Sequence, residues 1–378
     1  MTPVRVGIIG ANPEKGWGSA VHIPAVHAIP ALKLNAVATT RIETAKRSAE
    51  LFGAPNHFAD PCALVHDDEV DLVSIAVRAP DHYRLAMLAL DAGKHVYCEW
   101  PLATTVEQAA EMRQLAEQRG VKAVVGLQSR GAPALRFVRD LVNEGYAGRL
   151  VSVRMRCSLP GGGRRRSREG LYVIDKENGA STIRIQGGHA IDALRFCVGD
   201  FQQLCGTVVN HFEEIEVIET AARVPKSAPD QVVAAGRLVG GVPVSIAVSG
   251  GVVAGHGVEL EILGEQGALR VLGTGRLNFQ MSPLSVWGAQ SPESDLDEIP
   301  IPSGYDPMVI PADATAKAPY PGVDVPRATL VNVANLYRDM ADAITAGTPA
   351  TPDFGVGLSL HRLIQALEDS SRAFAEKD

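Results

Sequence analysis

The stretch VRVGIIGANPEKGWGSAVHIPAVHAI, Val4 to Ile29, decides the fold. Val4 to Gly10 is a short run of β-branched and small apolar residues, which predicts a buried strand. A glycine-punctuated turn follows, and Ser19 to Ile29 reads as a helix. Strand, glycine turn and helix in that order present backbone N–H groups at a helix N-terminus, where a pyrophosphate can be held. The usual GxGxxG is stretched here, with five residues between Gly10 and Gly16. The turn nominates Gly10, Asn12, Gly16 and Trp17 as cofactor contacts.

The alternation continues outward from this stretch. KLNAVAT, VDLVSIAV, HVYCEW and KAVVGLQ read as strands, and the segments between them as helices closed by Gly53, Gly93 and Gly120. Repeated βαβ units of this kind predict a doubly wound parallel sheet with helices on both faces, a Rossmann domain over residues 1–127. From residue 128 the pattern changes. After a helix in APALRFVRDLVNEG, strands dominate, with hairpins turning at Gly240–Gly241 and between Gly264 and Gly267. Residues 275–327 are rich in Pro, Gly, Asp and Ser and read as loops, and two helices close the chain. The second domain, 128–378, is therefore expected to be α+β, with a mostly antiparallel open sheet. An open sheet would leave a large apolar face exposed unless covered, so a homodimer or homotetramer is expected.

Charge and composition narrow the function. The 378 residues carry 36 Lys+Arg against 43 Asp+Glu, a formal net charge of -7, which disfavours nucleic acid as a partner. The five cysteines are odd in number and lack CxxC spacing, which predicts free thiols in a reducing compartment. Neither a secretory leader nor a run of about 20 apolar residues is read from the sequence, so the expectation is a cytoplasmic protein with no membrane partner.

The second strand ends in ATTRIETAK. A site for NAD usually carries an acidic residue at this point to accept from the ribose 2′-OH. Thr39, Thr40 and Arg41 instead suit a 2′-phosphate, with Lys46 and Arg47 close in sequence. NADP is favoured over NAD as the cofactor, and Thr40 and Arg41 join the cofactor candidates.

AGKHVYCEWP (Ala92–Pro101) resembles the AGKHVxCEKP of the glucose-fructose oxidoreductase and inositol dehydrogenase family, and GGHAIDALRF (Gly187–Phe196) resembles its GxHxxD segment. GANPEKGW, RIETA, CEWPLA, LQSRGAP, NEGYAG, RVPKSAPDQ and LHRLI further resemble the branch of that family formed by galactose-pathway repressors of fungi. The resemblance implies hydride transfer between a nicotinamide and a sugar or polyol hydroxyl. It implies that Glu99 and Pro101 face the cofactor, with a candidate cis bond before Pro101. It puts Trp100, Gln128, Arg130 and Asp192 on the substrate side and His189 in the acid/base role. The family's lysine and assisting aspartate fall on Trp100 and Ile185, neither of which can exchange a proton. Tyr172, Asp175 and Lys176, upstream of His189, are candidates to supply that relay. Arg164, Arg165, Arg166 and Arg168 in GGGRRRSREG could contact an acidic ligand. The His189/Asp192 pair lacks a third ligand at useful spacing, so no metal is expected.

Two functions follow. One is an NAD(P)-dependent oxidoreductase on a sugar, glycoside or polyol, a small carbohydrate-like substrate. The alternative is a catalytically silent nucleotide sensor that acts through a protein partner.

Overall fold

The computed structural model describes residues 2–161, 163–273, 275–291, 293–306, 310–311, 316–317 and 324–375. The chain forms two compact units, Met1–Gly131 with Met308–Ser359, and Ala132–Pro307 with Leu360–Asp378.

In the first unit the strands are β1 (Val4–Ile9), β2 (Leu32–Ala38), β3 (Asn56–Phe58), β4 (Leu72–Ile75), β5 (His95–Glu99) and β6 (Ala123–Gly126). Between them lie α1 (Ile23–His27), α2 (Ile42–Phe52), α3 (Pro61–Val65), α4 (His82–Asp91) and α5 (Val106–Arg119). The sheet order is β3-β2-β1-β4-β5-β6, and every pairing is parallel. All residues of β4 and β6 are buried, as a sheet covered on both faces requires. The strand order reverses between β1 and β4, so a crevice opens beyond their C-terminal ends.

Two differences from the sequence expectation have local causes. The helix after β1 is a π-helical turn, Gly18–His22, running into the five-residue α1, with Pro24 in its first turn. β3 and α3 carry no readable periodicity, because three and five residues are too few to show one.

The second unit opens with α6 (Pro133–Asn143), followed by β7 (Leu150–Leu159), β8 (Arg165–Arg166) and α7 (Gly188–Val198). Its main sheet has the order β17-β16-β15-β14-β7-β13-β12-β9, where β9 is Phe201–Val209, β12 Gln231–Leu238, β13 Pro243–Gly250, β14 Gly257–Gly264, β15 Ala268–Gly273, β16 Leu284–Ala289 and β17 Asp297–Glu298. Only β7–β13 is parallel in that sheet, so it is mostly antiparallel. Both expected hairpins, β12–β13 and β14–β15, are present. β16 lies inside the segment read as loops. A small sheet joins β8, β10 (Glu214–Val217) and β11 (Arg223–Pro225).

Inner and outer residues alternate along β12 and β13. The outer face bears an ordered charge ladder in which Arg154 pairs with Glu261 at 3.1 Å, and Glu259 accepts from both Arg156 and Arg270. Burial works against the Glu259 charge, but the two guanidinium groups prevail and hold its carboxyl below the ordinary range.

The closing helices are α8 (Arg327–Ala346) and α9 (Phe354–Ala375). Where the sequence reading runs the second domain continuously to residue 378, α8 packs in the first unit. Its Leu330, Val333, Ala334 and Tyr337 join the same core cluster as Val21, Ile23 and Val26. Gly131 permits the approach, since a Cβ there would overlap the carbonyl of Asn332. Asn335 Nδ2 donates to Gly131 O at 2.8 Å.

Candidate functional site

A cavity of about 350 Å³ opens at the β1/β4 switch. Its walls include Gly10 and Asn12 after β1, Thr39 and Thr40 after β2, and Val77, Asp81 and Arg84 after β4. Gly10 has φ 100°, and a Cβ there would fall against Ala76 O and the Val77 side chain, so this turn requires glycine. Asn12 Oδ1 accepts from Glu14 N at 2.9 Å, which shapes the loop, and Glu14 in turn pairs with Arg47 at 2.5 Å.

Three of the cofactor candidates, Gly10, Asn12 and Thr40, line this cavity. Arg41 stands exposed beside it at the N-cap of α2, and the Thr39 hydroxyl donates to Arg41 O at 2.9 Å. Gly16 and Trp17 belong to the loop but not to the cavity wall. Trp17 packs against the core, with its indole N–H buried and lacking a hydrogen-bond partner among the described residues. The two cations that sequence proximity suggested are already engaged, Lys46 4.0 Å from Glu50 and Arg47 with Glu14. Asp81 and Arg84, 3.7 Å apart, were missed because their contribution depends on where α4 starts and not on the β2 end.

A second constellation surrounds Glu99 at the end of β5. Its carboxylate is seated over Gly126, where a Cβ would lie 2.5 Å from Oε1. Gln128 Nε2 donates to both carboxylate oxygens at 2.8 Å. Nε2 of the fully buried His22 lies 3.1 Å from Oε1, off the line of a well-aligned hydrogen bond. On the other side of the imidazole, Nδ1 is 2.7 Å from the Tyr337 hydroxyl, which donates to Ser74 Oγ at 2.6 Å. Tyr97 stacks on Tyr337 with ring centroids 4.6 Å apart. Burial raises both phenols above their ordinary range, and the Glu99 charge acts in the same direction, so both stay protonated. His22 and Tyr337 gave no sequence signal, being 315 residues apart.

Gln128, expected on the substrate side, is 1% exposed, and its Nε2 donates to the Glu99 carboxylate. Trp100 is 5% exposed, and the bond to Pro101 is cis. Arg130 sits in the 3₁₀ turn Gln128–Gly131, partly exposed.

In the second unit His189 and Asp192 are buried on α7, one turn apart on one helix face. Ile185 lies in the π-helical turn before it. Tyr172 is half-buried in a 3₁₀ run, and its carbonyl accepts from Asn178 Nδ2 at 2.8 Å. Lys176 is exposed, its ammonium 4.0 Å from Glu177 and its backbone N–H on Ser227 Oγ at 3.0 Å. The arginine loop is largely surface. Arg165 pairs with Glu216 at 3.0 Å and Arg164 stands 5.8 Å over the Phe212 ring, at the edge of an open cavity of about 480 Å³ that is also lined by Glu213 and Glu214.

The sequence reading did not single out Lys226 and Asp230, which form a buried ion pair at 2.6 Å. Lys226 also donates to Asn210 Oδ1 at 2.5 Å and to Ala228 O, and Asp230 accepts from the backbone of His211 and Phe212 at 3.1 Å. Burial opposes the Asp230 charge, but Lys226 and the two N–H groups outweigh it and hold the carboxyl below its usual range.

A parallel 3-2-1-4-5-6 sheet with its cavity at the switch point defines a Rossmann dinucleotide domain, coupled in sequence to an open-sheet domain. Residues 4–127 match the oxidoreductase family with an NAD-binding Rossmann fold, and residues 133–273 match the Gal80p C-terminal domain. The two matches bear out the resemblance to that oxidoreductase family and to its Gal80-like branch.

Among its relatives is the galactose/lactose metabolism regulatory protein GAL80 of Saccharomyces cerevisiae, 29% identical over 66% of this chain and 61% of that protein, so the match spans less than two thirds of the relative. D-glucoside 3-dehydrogenase of Escherichia coli is 32% identical over 52% of this chain and 55% of its own. A crystal structure of a Gal80p super-repressor mutant superposes with a TM-score of 0.83 at 24% identity, over 98% and 97% of the two chains, and shares the fold. That of an NAD binding oxidoreductase from Klebsiella pneumoniae does so with a TM-score of 0.80 at 26% identity, over 98% of each chain.

Proposed function

We propose that this chain is an oxidoreductase that moves hydride between NADP and a hydroxyl or ketone of a sugar, glycoside or polyol. The observation that carries the reading is the cavity at the β1/β4 switch, where Gly10 makes the tight turn and the β2 end offers Thr39, Thr40 and Arg41 in place of a carboxylate. Arg84 in the wall and Arg41 beside it supply cationic donors for a 2′-phosphate. When bound, the dinucleotide supplies the hydride acceptor or donor. Gly10, Asn12, Thr39 and Thr40 on the cavity wall would hold it. His189, with Asp192 on the same helix face, is the proposed acid/base group, as the family resemblance supports. We further propose that a second copy covers the outer sheet face, whose Arg154–Glu261 and Arg156–Glu259–Arg270 ladder alternates in sign and so complements itself across a two-fold axis.

Trp100 and Ile185, at the family's lysine and aspartate positions, support the alternative of a silent sensor with a protein partner, as does the GAL80 relationship. A pool of sugars, polyols and glycosides incubated with NADP+ separates the two, with reduced nicotinamide followed by absorbance. The enzyme reading expects reduction by the wild type and its loss in His189→Ala. Saturable NADP+ binding with no reduction from any pool rejects that reading in favour of the sensor.

A further inference from the structure

His82 begins α4 fully enclosed, 1% exposed, and both of its ring nitrogens meet backbone carbonyls. Nδ1 is 2.7 Å from Pro101 O, and Nε2 is 3.1 Å from Val77 O. The two carbonyls belong to different parts of the first unit. Val77 lines the cavity at the strand switch, where its side chain closes on the Gly10 turn. Pro101 follows Trp100 in the turn that leaves β5, with the Glu99 carboxylate seated just before it.

A neutral imidazole carries one N–H, so it can donate to only one of two facing carbonyls, whereas the imidazolium donates to both. Burial lowers the His82 pKa and favours the neutral ring. The two carbonyls pull in the opposite direction, as do the carboxylates of Glu99 and Asp81. The enclosed neutral ring therefore has one N–H for two facing carbonyls: it donates to one and turns a lone pair toward the other.

We infer that His82 is a positioning residue that couples the dinucleotide cavity to the Trp100–Pro101 turn, its ring held between a carbonyl on the cavity wall and one on the turn. The coupling rests on the proposed dinucleotide reading of that cavity. It gives the buried tryptophan a means of responding to cofactor even when the nicotinamide does not reach it.

The test uses the full chain carrying Trp17→Phe and Trp287→Phe, so that Trp100 is its one tryptophan. The probes are adenosine 2′,5′-bisphosphate and AMP, which have no nicotinamide. Binding is measured by calorimetry and Trp100 by its emission. The expected result is that a bound probe changes Trp100 emission, and that His82→Gln still binds the probe but loses the emission change. Binding with silent Trp100 emission, or an equal change in His82→Gln, overturns the coupling and leaves the dinucleotide reading standing. Failure of both probes and of NADP+ to bind overturns the two together.

If His82→Gln does not fold, the parent chain still decides the matter through the ¹⁵N resonances of its histidine rings, which report which ring nitrogen carries the proton. A change in the His82 ring signals on probe binding supports the inference, and unchanged ring signals with the probe bound overturn it.

Discussion

The chain buries charge in two contrasting ways. Lys226–Asp230 in the second unit is a closed set: the ammonium has a carboxylate, an amide oxygen and a carbonyl, and the carboxylate has the ammonium and two backbone N–H groups. Glu99 in the first unit accepts from the Gln128 amide, with the His22 imidazole 3.1 Å away and off the hydrogen-bond line. The family's lysine would stand next to it, where this chain has Trp100. A closed pair pins a loop and has no capacity left over. Burial raises the Tyr97 and Tyr337 phenols beside this carboxylate, and the Glu99 charge adds to the rise.

The largest effect expected from this contrast is on stability. Lys226→Met strands Asp230 and should cost about 3–5 kcal/mol, read from the midpoint of urea unfolding. A loss under about 1 kcal/mol would make the pair no more than a surface bridge. The pH dependence has a definite sign. Because the folded Asp230 carboxyl is depressed, its contribution is fully present above the ordinary carboxylate value of ~3.9 and is lost as pH falls through the folded value. His82, also depressed, adds a second acid-side loss, since the unfolded chain takes up a proton below ~6.5 that the folded chain refuses.

Next in size is Gln128→Leu, which removes the donor to both Glu99 oxygens and should cost about 2–3 kcal/mol. Adding Glu99→Gln to that variant should recover part of the loss, and a purely additive double mutant would contradict the cradle. Smaller again, Arg41→Ala should weaken NADP+ binding by about tenfold, one charge-assisted contact, while leaving NAD+ unchanged. Equal weakening of both would remove Arg41 from 2′-phosphate recognition. The smallest effect belongs to the surface: Glu216→Gln breaks the exposed pair with Arg165 and should change stability by less than about 1 kcal/mol.

The two units were also unequally legible in the sequence. β1, β4 and β6 were readable because burial on both faces makes a strand a continuous apolar run, and Gly53 and Gly120 mark helix ends with positive φ. The hairpins of the second sheet were readable from alternation and paired glycines. β16 was not, because it lies in a segment whose proline and serine content outweighs six residues of strand. The packing of α8 on the first core was invisible, since an amphipathic helix announces a buried face but not its partner.

Of the candidate site, the Gly10 turn and the β2 end were legible because each is a local motif. The Glu99 cradle was not, as it is assembled from β5, the turn at Gln128, the π-helical turn at His22 and α8. Lys226 and Asp230 stand four apart in a proline-containing loop, where that spacing carries no helical meaning. Exposure likewise separates Lys176, on the surface, from His189, inside.

The most direct test of the account is a calorimetric titration of the whole chain with NADP+ and, separately, with NAD+. The cavity at the strand switch, lacking a carboxylate at the β2 end, predicts one saturable site that binds NADP+ about tenfold or more tighter than NAD+. Binding of neither, or a preference for NAD+, would contradict it.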